Sequence, residues 1–156
     1  MSVIDRIKEL GYILPEPPEP VGSYVHALKI GNLVYTSGIL PFKDNKLVYN
    51  KEIGGFLNSI NTGYEASKLC VLNALSIINN LVGLDNVERV VKLTGYINSA
   101  TSFTDQPKVL NGASDLLVEI FGEKGKHVRS AIGVSELPLD ASVEIEIIVQ
   151  VKSWFI

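Results

Sequence analysis

The strongest constraint on the fold is an alternating stretch near the end of the chain, from Ala141 to Ser153. Successive side chains of a strand point to opposite faces. One face is apolar throughout and consists of Val143, Ile145, Ile147, Val149 and Val151. The other face carries Glu144, Glu146, Ile148 and Gln150. A strand of this kind belongs to a sheet that is covered on one side by a second layer.

Two stretches with helical periodicity can supply that layer. Thr62 and Glu65 match a capping box, which predicts a helix from Thr62 to just before Gly83. Its apolar stripe contains Ala66, Cys70, Ala74, Ile77, Ile78 and Leu81, so Cys70 is predicted to lie in the core. A second helix is predicted to begin near Pro107 and to end at Gly122.

The remaining elements complete the sheet and lead into it. Strands are predicted at Tyr24–Ile30, Leu33–Ile39, Val87–Asn98 and Val128–Ser135, with a further short one at Lys46–Tyr49. The first two form a hairpin around Gly31-Asn32. A short helix capped by Ser2 and a proline-rich strap occupy residues 1–20. The order predicts an α+β fold, a two-layer sandwich with one mixed sheet packed on two long helices, in a single domain spanning 1–156.

Composition excludes several kinds of chemistry. The 156 residues include one cysteine and two histidines, which leaves no intramolecular disulfide and no closed Cys/His zinc site. The net charge of −3 counts against nucleic acid as the main ligand. No apolar run approaches the roughly 20 residues that span a bilayer, and the charged N-terminus does not resemble a signal peptide. We expect a cytoplasmic protein without metal, cofactor or membrane partner.

Arg129 and Glu144 are the candidate site residues that spacing selects. If the last two strands form a hairpin around Glu136–Asp140, these two side chains lie on one face, across from or diagonal to each other. The other face of the first strand would then meet the helices; it carries Val128, Ser130, Ile132 and Val134. Arg129, with the small residues Ala131 and Gly133 beside it, would point away from the helices.

Two interpretations of this pair remain open. The guanidinium could hold a carboxylate in bidentate fashion while Glu144 orients a water molecule or moves a proton. Alternatively, the two form a cross-strand salt bridge worth about 0–1 kcal/mol on a solvated face. Ile148 shares the face with the two glutamates, which predicts that another subunit covers it.

Weaker candidates also have two readings. Glu144 and Glu146 lie about 7 Å apart along a strand, a spacing that a glycosidase could use, but a polar strand face is the favoured explanation. His127 adjoins Lys126 and is predicted to be solvated.

A longer motif resembles a known family. Arg129 to Pro138, read as RSAIGVSELP and followed by the alternating Val143 to Glu146, is similar to the C-terminal signature of the reactive intermediate deaminase family, also called YjgF or L-PSP endoribonuclease-like. Gly22-Ser23-Tyr24, Gly31-Asn32, and Thr36-Ser37-Gly38 with the later Pro41 also match. The resemblance extends from about Pro20 to Val151.

This resemblance implies a chorismate-mutase-like fold assembled as a homotrimer with clefts between subunits. It also implies hydrolysis of 2-imino or 2-enamino acids to 2-keto acids and ammonia, without a cofactor. Arg129 would bind the substrate carboxylate and Glu144 would activate water. The cleft would further contain Tyr24, Ser37, Gly38, Asn111 and Ala131, the last through its backbone carbonyl.

The chain departs from the best-studied members in three places. Ala131 stands where those members often carry cysteine, the polar excursion Lys43–Asn61 is longer, and the N-terminal helix and strap are additions. Two other functions are compatible with the same cleft: a non-catalytic trimer that binds small carboxylate metabolites, and an endoribonuclease, which the acidic composition disfavours.

Overall fold

The computed structural model describes residues 1–153 of the chain. These residues contain seven strands and three α-helices. The helices are α1 (Val3–Glu9), α2 (Ile60–Val82) and α3 (Gln106–Phe121). The strands are β1 (Ala27–Ile30), β2 (Leu33–Thr36), β3 (Phe42–Lys43), β4 (Lys46–Leu47), β5 (Val87–Asn98), β6 (Val128–Val134) and β7 (Val143–Val151). The last three residues of the predicted domain lie outside the described residues.

The large sheet has five strands in the order β1-β2-β7-β5-β6. Every neighbouring pair is antiparallel except β5 and β6, which run parallel with α3 as their crossover. The small hairpin β3–β4 stands apart and turns through Asp44 and Asn45, both at positive φ. The α+β sandwich, with one mixed sheet packed on α2 and α3, is therefore confirmed, as are the hairpin around Gly31-Asn32 and the short strand that begins at Lys46.

The predicted hairpin between β6 and β7 is wrong. The long strand β5 lies between them and pairs with both, so these two strands are not neighbours. The segment Glu136–Asp140 crosses the end of β5, with Leu139 and Asp140 at positive φ. The reason is topological: a strand that returns through a helix pairs in parallel with the strand before that helix.

Inserting β5 also reverses the predicted orientation of β6. Arg129 is the register partner of Leu93, a fully buried residue that faces the helices, and side chains of register partners lie on the same face. Arg129 therefore faces α3 rather than away from the helices. Val128 and Ile132, predicted to meet the helices, are instead 67% and 40% exposed on the outer face.

Helix α2 begins at a capping side chain that satisfies one of its first amides, whereas α3 begins without such a cap. The N-cap of α2 is Ser59, whose Oγ accepts a hydrogen bond from the Thr62 amide at 3.2 Å, so the helix starts three residues before the predicted capping box. The start of α3 is confirmed, with Pro107 in its first turn. Cys70 is fully buried as predicted, and this burial raises the pKa of its thiol.

The N-terminal segment contributes a buried side chain to the core. Ser2 caps α1, and Ile7 is fully buried with α1 packed against α3. The strap continues without regular secondary structure, and the Pro15 carbonyl accepts a hydrogen bond from Ser76 of α2. Residues 1–15 are thus packed against both long helices.

Replacing Ile7 tests this role of the N-terminal helix. We expect Ile7→Ala to lower the free energy of unfolding by about 2–5 kcal/mol, because it deletes apolar volume from a fully buried site. Ile13→Ala, at a position 82% exposed, is the matched control and should change it by less than about 0.5 kcal/mol. Urea denaturation measures both. Equal values for the two variants would contradict the packing described.

Candidate functional site

The predicted site residues separate into two groups within one chain. Glu144 lies with Gly38 on the outer face of the sheet. Arg129 lies with residues of α3 at the opposite edge of the sheet.

The first group forms where the chain leaves β2 and runs beside β7. Ile39 pairs with Ile145 in an isolated bridge, which brings Gly38 directly alongside the Glu144 side chain. A Cβ atom on Gly38 would overlap the carboxyl group of Glu144. The space for this carboxyl group therefore depends on glycine at position 38.

The surroundings of Glu144 favour the protonated form of its carboxyl group. Its carboxylate has no hydrogen-bond or ion-pair partner among residues 1–153. Partial burial, and secondarily the negative charge of Glu146, raise the pKa of Glu144 above its ordinary value. Glu146 itself is engaged, because the Tyr96 hydroxyl donates a hydrogen bond to its Oε1 at 3.0 Å. Of the two carboxylates, Glu144 is the one available to a ligand.

A histidine that the sequence analysis did not select joins Tyr24 to Ser37. The His26 ring lies edge-on to Tyr24 with ring centroids 5.7 Å apart, and its Nδ1 lies 3.5 Å from the Ser37 hydroxyl. Its Nε2 is buried and has no hydrogen-bond partner in the described chain. The signal was present in the sequence, since residues 24 and 26 are two apart and share a face in an extended segment.

The second group holds the Arg129 guanidinium against α3. Nη1 donates to the Ser114 hydroxyl at 3.0 Å, and Nη2 donates to the Pro107 carbonyl at 3.4 Å. An arginine has five N–H donors, so three remain uncommitted. Within residues 1–153, no carboxylate neutralises this guanidinium. It presents a full positive charge and free donors.

Asn111 and Ala131 belong to this second group by position. Asn111 lies between Pro107 and Ser114 on one stripe of α3, and Ala131 follows Arg129 on the same face of β6. His127 is not simply solvated, as predicted, because its Nε2 lies 2.9 Å from the Ser114 hydroxyl. Sequence periodicity could not reveal this contact, since it depends on how α3 packs on β6.

The predicted pairing of Arg129 with Glu144 does not occur within one chain. The two strands are separated by β5, which places them about 10 Å apart across the sheet. Their partners on β5 are Leu93 and Tyr96, a further offset of about 10 Å along the strand direction. The side chains also lie on opposite faces, so no single pocket of one chain contains both.

Residues 1–153 contain neither a metal-binding cluster nor a membrane-spanning helix. No group of three or more His, Cys, Asp and Glu side chains is arranged to hold a metal ion. Within the same residues, none of the helices combines the length and apolar character needed to cross a membrane.

Comparison with known proteins places the chain among relatives of the same length. The profile of a family described as "YjgF/chorismate_mutase-like, putative endoribonuclease" matches residues 5–150. Protein TCP17 of Trypanosoma cruzi is 38% identical over 153 residues, covering 97% of this chain and 95% of that protein. A 2-iminobutanoate/2-iminopropanoate deaminase of Dermatophagoides farinae is 29% identical over 140 residues, covering 88% of this chain and 93% of that protein.

A solved structure extends the similarity to three dimensions. The crystal structure of a "putative endoribonuclease" from Shewanella oneidensis MR-1 superposes with a TM-score of 0.92 at 32% identity, covering 97% of this chain and all of that one. The profile match spans nearly the whole described chain, and the five-stranded sheet on two helices agrees with it. The chain belongs to the YjgF/RidA family.

Proposed function

We propose that this protein hydrolyses 2-imino and 2-enamino acids to 2-keto acids and ammonia in clefts between identical subunits. The observation that carries the proposal is the uncommitted Glu144 carboxylate beside Gly38, with a pKa raised by burial and by Glu146. A carboxylate with a raised pKa is a stronger base than an ordinary glutamate, which suits it to take a proton from water. The similarity to a 2-iminobutanoate/2-iminopropanoate deaminase supports the choice of substrate.

The substrate carboxylate is assigned to Arg129. Its guanidinium keeps three free N–H donors and no neutralising partner among the described residues, as a bidentate carboxylate ligand requires. Asn111, one turn along α3, and the backbone of Ala131 complete this half of the cleft. Tyr24, Ser37 and Gly38 line the other half, beside Glu144.

Uniting the two halves requires a second copy of the chain. Arg129 lies on β6, an edge strand whose outer side has no strand partner among residues 1–153, and edges of this kind are suited to intermolecular contact. Glu144 lies on the outer sheet face, where Leu28, Ile30, Val128 and Ile132 are exposed. Because two different surfaces meet, the contact is heterologous, and such a contact generates a ring when its rotation closes rather than a twofold dimer. We propose the trimer that the family resemblance implies.

The reaction moves two protons from the water oxygen to the imine nitrogen. Glu144 accepts the first proton as the water oxygen attacks C2 of the imine and forms a new C–O bond, and it passes this proton to the nitrogen, which leaves a tetrahedral intermediate with a hydroxyl and an amino group. Glu144 then takes the hydroxyl proton and passes it to the amino group as the C=O bond forms; the C–N bond breaks with its electron pair going to nitrogen, and ammonia and the 2-keto acid are released. Arg129 holds the carboxylate throughout, which keeps C2 beside the bound water.

The alternative functions make different demands on the same residues. A non-catalytic binding protein would use Arg129 but would not need the Glu144 carboxylate. An endoribonuclease would place phosphates against the Glu144 and Glu146 carboxyl groups, and each of these that is ionised repels a phosphate.

Substituting the two principal residues tests the mechanism. We expect Glu144→Gln to lower kcat by about 100-fold or more, because it removes the general base but keeps the shape of the side chain. Arg129→Ala should lower kcat/KM by about 30-fold or more through loss of the carboxylate contact. The assay measures the 2-keto acid formed from an imine that an amino-acid dehydratase generates in the same reaction mixture.

Glu136→Gln and Arg6→Ala are the matched controls, since both are remote from the two half-sites and should retain wild-type rates. If the wild-type protein binds 2-keto acids but gives no acceleration, the binding function replaces the catalytic one.

The pH dependence of Glu144 provides an independent test. Because its pKa is raised, Glu144 should stay protonated to a higher pH than an ordinary glutamate. Glu146→Gln removes the nearby negative charge and should lower the pKa of Glu144, while Glu136→Gln should leave it unchanged. Carboxyl carbon NMR titration measures each value. An unchanged or higher pKa in Glu146→Gln would refute the electrostatic coupling.

The subunit arrangement is tested by mass in solution. Light scattering should give about three times the 17.0 kDa chain mass for the wild-type protein. Ile132→Lys, on the outer face, should shift the population toward monomer and reduce activity with it, because a buried unpaired charge opposes association. Ile13→Lys, on the exposed strap, should remain trimeric. A fully active monomer would exclude the intersubunit cleft.

A further inference from the structure

We propose that Ser114 and His127 are positioning residues that fix the direction of the Arg129 guanidinium. A neutral hydroxyl–imidazole pair, rather than a carboxylate, would hold the arginine that binds the substrate. The ligand-binding part of this inference rests on the proposed function, whereas the orientation of Arg129 does not.

The fold brings these residues together from two elements. His127 and Arg129 are two apart in an extended segment, so their side chains leave β6 on the same face. Ser114 and Pro107 are seven apart on α3, which is two helical turns, so they share one stripe of the helix. The packing of α3 against β6 places the stripe over this face.

The donors and acceptors available determine the direction of each hydrogen bond. The Gly125 carbonyl can only accept, so His127 Nδ1, 2.7 Å away, carries the hydrogen. In the neutral ring Nε2 is then an acceptor, and the Ser114 hydroxyl 2.9 Å away donates to it. The lone pairs of Ser114 Oγ are left to accept from Arg129 Nη1 at 3.0 Å.

This arrangement orders Arg129 without neutralising it. An arginine side chain has many rotamers and loses conformational entropy when it is held in one geometry. A carboxylate partner would order it equally well but would compete with the substrate carboxylate for the same donors. Ser114 and the Pro107 carbonyl use two N–H groups and leave the charge intact.

The test combines binding with a readout on Arg129 itself, with 2-oxobutanoate as the probe. We expect Ser114→Ala to raise the Kd for 2-oxobutanoate about 10-fold, through loss of a hydrogen bond to a charged group. Ser114→Thr, which keeps the hydroxyl, should stay within about 2-fold of wild type, and His127→Phe should resemble Ser114→Ala. Ser135→Ala is the control, since Ser135 is exposed and makes no hydrogen bond in residues 1–153.

The Arg129→Ala variant shows whether Ser114 acts on the ligand through Arg129, by direct contact, or only through the stability of the fold. In Arg129→Ala, adding Ser114→Ala should leave the Kd unchanged. In the ligand-free protein, the Arg129 Nε–Hε NMR signal, identified by its absence in Arg129→Ala, should shift and exchange faster in Ser114→Ala while the Tm stays unchanged.

The outcomes are distinct. If Ser114→Ala alters neither the Arg129 signal nor the Kd, the positioning role is overturned. An equal loss of affinity in the Arg129→Ala background would also overturn it. If the wild-type protein does not bind 2-oxobutanoate, the proposed function fails, and the ligand-free Arg129 signal alone decides whether Ser114 and His127 hold the arginine.

Discussion

The close approach of α3 to β5 at Gly95 is the contact on which the arginine half-site depends. A Cβ atom at this position would overlap the Leu110 side chain, so glycine allows the helix to lie low over the sheet. The same helix carries Ser114 and Pro107, both bonded to the Arg129 guanidinium. Raising α3 by the thickness of a methyl group would separate these partners from the arginine. The packing of α3 on Gly95, in the central part of the sheet, thereby determines the geometry of the Arg129 side chain at the sheet edge.

The central strand β5 determines which face each functional residue occupies. Its alternation is strict in the relevant part: Leu93 and Ile97 are buried under the helices, while Tyr96 lies on the outer face with Glu146. Register then assigns Arg129 to the helical side and Glu144 to the outer side. A one-residue slip of either neighbouring strand would exchange these faces, and the apolar side of β7 resists such a slip.

Local patterns predicted the elements well, and the errors arose where distant segments choose partners. The alternation of β7 and the periodicity of α3 sufficed to place both elements. The faces of β6 could not be assigned in this way, because the face that carries Val128, Ile132 and Val134 is the more apolar of the two and yet lies away from the helices. The assumption that consecutive strands pair then selected the wrong face for Arg129. His127 was misread for a related reason, since its partner Ser114 lies on another element and no sequence periodicity links them.

Arg129 and Glu144 lie on opposite faces of one chain, and neither forms an ion pair among residues 1–153, which has a common physical explanation under the proposed assembly. Had the two formed a salt bridge within the chain, a substrate would first have to break that pair. Separation by β5 keeps the Arg129 donors free and leaves Glu144 with a pKa raised by burial and by Glu146. In the proposed ring of subunits, a positive edge would meet a negative face, which would favour association and orient the contact. The proposed substrate would lie between them, with its carboxylate toward the arginine and its C2 carbon toward the glutamate.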